Sequence, residues 1–240
     1  MFCPLPGVSR ARSKARAFRR DSHILPAPRR LAVVRCALGW ACWKTYLGRP
    51  ETNLDRMDAM TQLGNGLGEV NKHEERIAIV ETQLSIMVRL WPRSELSALD
   101  MKHNLARCYL QTGRYEEAAR LFRLIYARRK VLDGANRDDT IRAAHQLAAS
   151  LIELGRYDQV KSLVLPLLRQ GRRFRLSYAT ALYMTAGASR AEVLEAVAIC
   201  EELLCRDRRV LGPSHPDTLD GFREIDRACM TLEDYRKFKS

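Results

Sequence analysis

The 240 residues contain no Gly-rich phosphate loop, no G-x-S-x-G elbow and no H-E-x-x-H pair. The commonest routes to nucleotide, acyl-transfer and zinc-protease chemistry are therefore missing. The seven cysteines form no C-x-x-C pair. A disulfide framework does not suit a chain of this length, so small buried thiols in a reducing compartment are expected. Long apolar runs are also missing: the longest candidate, Leu31 to Leu47, is 17 residues and is interrupted by Arg35 and Lys44. That is too short and too charged to span a bilayer. Acids are nearly absent from residues 1–50, which hold 11 Lys/Arg against Asp21 alone. The remaining residues hold 30 basic and 27 acidic side chains, so the net charge of +13 belongs mostly to an N-terminal tail. A basic face for nucleic acid on the fold itself is not indicated, and RNA binding stands only as an alternative.

The five histidines do not assemble a site either. His103 and His145 are 42 residues apart, which suggests a pair on neighbouring helices, but no third or fourth metal ligand keeps that spacing. His103 and Cys108 are five apart, on different faces of a helix, so they cannot serve as base and nucleophile. No catalytic residue, metal site or cofactor is assigned, and the chain is read as a non-enzyme.

What the sequence does contain is a period. Gly113-Arg114-Tyr115-Glu116-Glu117-Ala118 returns 42 residues later as Gly155-Arg156-Tyr157-Asp158-Gln159-Val160, and a degraded copy stands 42 residues earlier at Asn71-Lys72-His73-Glu74-Glu75-Arg76. Leu63, Leu105 and Leu147 keep the same spacing. Such a period marks stacked supersecondary units. Each unit reads as two helices. Gly113 and Gly155 supply a left-handed cap between them, and Asn71 can do the same. Glu116 and Glu117 open the second helix of the best-kept unit, and Arg128, Arg129 and Lys130 close it, in the order that complements the helix dipole. Asp139 and Asp217 stand where N-cap acceptors are expected. Pro166 predicts a kink or a register shift in the third unit.

The series Asn104-Leu105-Ala106, Tyr109, Gly113-x-Tyr115-x-x-Ala118 resembles a tetratricopeptide repeat (TPR). The 42-residue length, with Val210-Leu211-Gly212-x-x-His215-Pro216-Asp217-Thr218-Leu219, is similar to the longer repeats of the kinesin light chain type. The resemblance implies an all-α, right-handed α-α superhelix of about four helix pairs and a closing C-terminal helix. The units fall at about 57–98, 99–140, 141–175 and 176–216, with the closing helix at 217–236 and Arg223, Glu224, Asp226 and Arg227 on its outer side. The solenoid as a whole covers 55–240.

By the same resemblance, the first helix of each unit lines a concave groove that binds a protein or peptide ligand. The groove residues are then Gln62 and Asn65 in the first unit, His103, Asn104, Arg107 and Gln111 in the second, and Arg142, His145 and Gln146 in the third. The amides Gln62, Asn104 and Gln146 align at one position and can meet an extended backbone as both donor and acceptor. Arg107 and Arg142 suit acidic side chains on the ligand. The implied function is that of an adaptor for an extended, acidic peptide. Residues 1–56 contain no heptads with which to grip a kinesin heavy chain, so a motor-subunit role is not carried over.

Residues 1–54 are read as a basic, disordered extension with no role in the fold, Met57 or Met60 being a natural start for the ordered part. The expected location is the cytoplasm. The Arg- and Ser-rich, acid-poor tail offers import into a mitochondrion or plastid as the alternative.

Overall fold

The computed structural model describes residues 27–239, with side chains from 30 to 231. Every regular element among them is helical. The chain divides into two units, one ending at Cys108 and one beginning at Tyr109.

The first unit opens with α1 (Ala27–Tyr46), followed by α2 (Leu54–Glu69), α3 (His73–Leu90) and most of α4 (Glu95–Gln111). The helix α1 corrects the reading of residues 1–54 as disordered and without a role. Residues 1–26 of that extension lie outside the described residues. Small residues let α1 and α2 approach to backbone contact: a β-carbon on Gly66 would lie 2.6 Å from Cys36 Cα, and one on Gly39 would lie 2.8 Å from Leu63 Cα. Cys36, Leu63 and Leu67 form the buried centre of this contact, with Trp43 packed on it. Met57 and Met60 are core residues inside α2, which is N-capped by Asn53 through a 2.9 Å bond from the Arg56 amide. A chain begun at either methionine would lack both the cap and α1. Between α2 and α3 the core is Met57, Met60 and Ile86, and Trp91, just past the end of α3, packs against it. Gln83 is buried there, with its amide donating to the Met57 carbonyl at 3.1 Å and to Thr61 Oγ1 at 2.7 Å.

The second unit holds α5 (Tyr115–Leu132), α6 (Asp138–Glu153), α7 (Tyr157–Val164), a 3-10 helix (Leu165–Gln170), α8 (Arg172–Met184), α9 (Arg190–Val210) and α10 (Pro216–Lys239). The expected break appears at Pro166: α7 stops at Val164 and the chain continues as the 3-10 helix to Gly171. A proline lacks the N–H that an α-helix would need at this point. Because the 3-10 helix is short, α8 starts at Arg172, earlier than the sequence boundary at 176 suggests.

The 42-residue period is written in the turns. Lys72 N donates to Leu67 O, Arg114 N to Tyr109 O, and Arg156 N to Leu151 O, each at 2.9 Å. The residue before each donor, Asn71, Gly113 or Gly155, has positive φ. Each turn is thus the same left-handed cap closing the first helix of a pair.

Between units of the repeat the linkers differ from expectation. Asp139 is not a cap; α6 begins at Asp138 after an Arg137 cap, and Asp139 sits in the first turn. There it accepts from Arg129 at 3.1 Å, while Arg129 also reaches Asp133 at 3.2 Å. Asp217 is likewise inside α10. The capping acceptor is His215 Nδ1, which receives the Asp217 amide at 3.2 Å. The helix α10 closes over α8 and α9, and Ala228 is buried with Ala179, Leu182, Tyr183, Val193, Ala196 and Cys200. Glu224 is turned inward rather than outward: it accepts from Tyr183 Oη at 2.6 Å and Thr180 Oγ1 at 3.2 Å. Burial and the Glu224 carboxylate both push the Tyr183 pKa up.

Candidate functional site

In the first unit, Gln62, Asn65 and Glu69 fall one and two turns apart along α2 and are all exposed. They line a cleft of about 400 Å³, with Arg35, Leu38, Gly39 and Cys42 of α1 as the facing wall and Gly66 at its base. Arg35 and Glu69 close one end of it through a 2.7 Å ion pair. Gly39 and Gly66, which bring the two helices together, are themselves part of its lining. Arg35 is neutralised locally by Glu69, so the cleft offers amides, a thiol and an apolar wall more than a bare charge. Burial pushes the pKa of the neighbouring Cys36 thiol up.

His103, Asn104 and Arg107 lie on α4 and do not line this cleft. Arg107 is exposed, while His103 and Asn104 are half-buried. The cleft therefore gathers Gln62 and Asn65, and its lining does not include these three.

In the second unit, Gln111 is exposed at the end of α4. Arg142, His145 and Gln146 share one face of α6, at the spacing of one helical turn. Arg142 is exposed but pairs with Asp139, which ties it to the same acid that holds Arg129. His145 stands edge-on to Phe174 of α8, ring centres 6.3 Å apart at 79°. Burial, and then the nearby Arg173 charge, push its pKa down. An imidazole held in this aromatic contact is a packing residue with one polar edge. Gln146 is half-buried beside it.

Sequence reasoning missed the α1 wall, Arg35, Leu38 and Cys42. The available signal was the series Cys36, Gly39, Trp43, which places small and aromatic side chains on one helical face.

An array of paired helices with the same capped turn at a fixed period is a helical-repeat solenoid. Tetratricopeptide-repeat models match residues 97–163 and 188–217. Tetratricopeptide repeats therefore stand at these residues, and the fold is similar to that of kinesin light chain-type repeats. Among solved structures it is similar to the nearly identical TPR-like repeats of a Podosopora anserina protein described as a kinesin light chain. The TM-score there is 0.61 at 21% identity, over 76% of this chain and 89% of that one. It is also similar to BtubC (BKLC) from P. vanneervenii, with a TM-score of 0.64 at 14% identity over 86% of each chain. No curated protein sequence matches the chain. Such repeats bind protein partners, and their presence supports a protein-interaction scaffold. No helix among the described residues is long and apolar enough to cross a membrane.

Proposed function

We propose that the chain is a non-catalytic adaptor that holds an extended peptide along the first helices of its repeats, and that the cleft between α1 and α2 receives part of that peptide. The observation that carries this reading is the lining of the cleft. Two residues expected to face the groove, Gln62 and Asn65, stand one turn apart in the lining of a concavity. A side-chain amide offers a donor and an acceptor, the combination that an extended backbone needs. The apolar wall at Leu38 gives a peptide side chain somewhere to leave water. An acidic preference rests on Arg107, which is exposed, more than on Arg142, whose guanidinium must be shared with Asp139.

The test is affinity capture from a cell extract with the full chain and two variants, Gln62→Ala/Asn65→Ala and Asn104→Ala/Arg107→Ala/Arg142→Ala. Partners lost with either variant support the groove. A set of partners captured equally by all three forms contradicts it, and salt-sensitive RNA capture in their place favours the nucleic-acid alternative. The same reading places the adaptor in the cytoplasm; a fluorescent fusion of the full chain found inside an organelle would replace that with the import alternative.

A further inference from the structure

The helix α1 is apolar on two faces. Cys36, Gly39 and Trp43 meet α2. On the opposite side Leu31, Val34 and Leu38 follow one another at helical spacing and are 54%, 45% and 63% exposed. Ala37 and Ala41, also exposed, widen the stripe. Trp40 and Leu47 add further exposed apolar surface on one flank. Nothing in the interaction surface proposed above uses this outer face except Leu38 at the cleft mouth. The charges around it are of one sign. Arg30 and Lys44 are exposed at its edge, and residues 22–50 contain no Asp or Glu. Arg35 is the exception, since Glu69 holds it.

An aliphatic stripe on a helix that itself carries only cations has two physical requirements: a place for the apolar side chains and anions for the rim. A second copy of α1 would satisfy the first and violate the second, because Arg30 and Lys44 would face their own kind. An anionic lipid surface satisfies both: the acyl boundary takes Leu31, Val34 and Leu38, the headgroups take the cations, and Trp40 has the amphipathic ring suited to the interface. We propose that the outer face of α1 docks the protein on an anionic membrane surface, with the helix lying in the plane of the interface and its inner face still packed on α2. The strongly basic stretch ahead of α1 adds long-range attraction to the same surface. The inference shares Leu38 with the peptide cleft, but Leu31 and Val34, on which its test turns, line no part of that cleft.

The experiment is co-sedimentation of the full chain with vesicles of phosphatidylcholine alone and of phosphatidylcholine containing about a quarter phosphatidylserine. Binding is expected only to the second, weakening as salt rises. Leu31→Asp/Val34→Asp should lower the partition by about tenfold or more. These side chains are exposed, so an unchanged unfolding temperature certifies that the fold is intact. Arg30→Glu/Lys44→Glu should lower the partition as well. Equal binding by the wild type and Leu31→Asp/Val34→Asp would overturn the proposal, because the basic tail alone would then account for it. So would a failure to bind either vesicle, or a concentration-dependent dimer that the same variant abolishes.

Discussion

Arg129 and Asp207 occupy the same position in two repeat units, 78 residues apart, and carry opposite charges. Both are buried. Arg129 reaches forward to Asp133 and Asp139, fastening the linker that leads into α6. Asp207 accepts from Arg172 at 2.5 Å, and Arg172 donates in turn to the Asp217 carbonyl at 2.6 Å, fastening the linker that leads into α10. The task has survived an inversion of sign because a partner of the other sign has appeared within reach.

Breaking either pair from the buried side should cost stability, since the partner left behind loses a charge-assisted bond. Arg129→Ala should lower stability by about 2 kcal/mol, less than for a fully buried pair because Asp139 is partly in water. Asp207→Ala should cost about 3 kcal/mol, because Arg172 is less exposed than the Asp139 partner of Arg129. Urea unfolding measures both, and values within about 0.5 kcal/mol of zero would show that the linkers do not depend on these pairs.

The contact of α1 with α2 is equally testable. Gly66→Ala places a methyl group against the Cys36 backbone, which cannot be relieved by a rotamer change. The helix-propensity gain of about 1 kcal/mol should be outweighed by overpacking, with α1 displaced. Amide exchange across residues 30–46 should speed up in the variant while α9 is unaffected. Unchanged protection in α1 would mean that the close approach is not what holds it.

His145 gives a pH prediction. Its pKa is pushed down in the folded chain by burial and by Arg173. The unfolded chain then binds more protons in the window below the ordinary value of 6.5, so stability is intact above that pH and declines as pH falls through it. His145→Gln should flatten the unfolding temperature between about pH 7 and pH 5.5, a range in which carboxylates hardly titrate. An identical pH slope in both forms would contradict the assignment.

Much of this fold is legible because its instructions are local and periodic. The three turns with positive φ at Asn71, Gly113 and Gly155 follow from residue type and spacing alone. So does the break at Pro166. The misses share a cause: they depend on what lies across from a residue. Asp139 looks like a cap until Arg129 and Arg142 are seen to claim it. Glu224 looks like a surface acid until Tyr183 is found beneath it. The helix α1 looks like tail because its segment is basic and acid-poor, while its inner face of Cys36, Gly39 and Trp43 gains meaning only from α2 across from it. The candidate site inherits the same limit. Gln62 and Asn65 are visible from the period, while the α1 wall that makes them a cleft is not.

The cleft residues should matter for binding and not for folding, since Gln62 and Asn65 are exposed. Gln62→Ala/Asn65→Ala is expected to leave the unfolding temperature within about 2 °C of the wild type. A larger loss, read by thermal melting, would show that these amides serve the contact with α1 instead.

Selection of a random-peptide display library on the immobilised full chain tests the peptide-adaptor reading most directly. An enriched consensus is expected whose members bind the wild type and bind Gln62→Ala/Asn65→Ala about tenfold or more weakly, as the loss of paired backbone bonds requires. A library that yields no consensus, or one whose winners bind both forms equally, would contradict it.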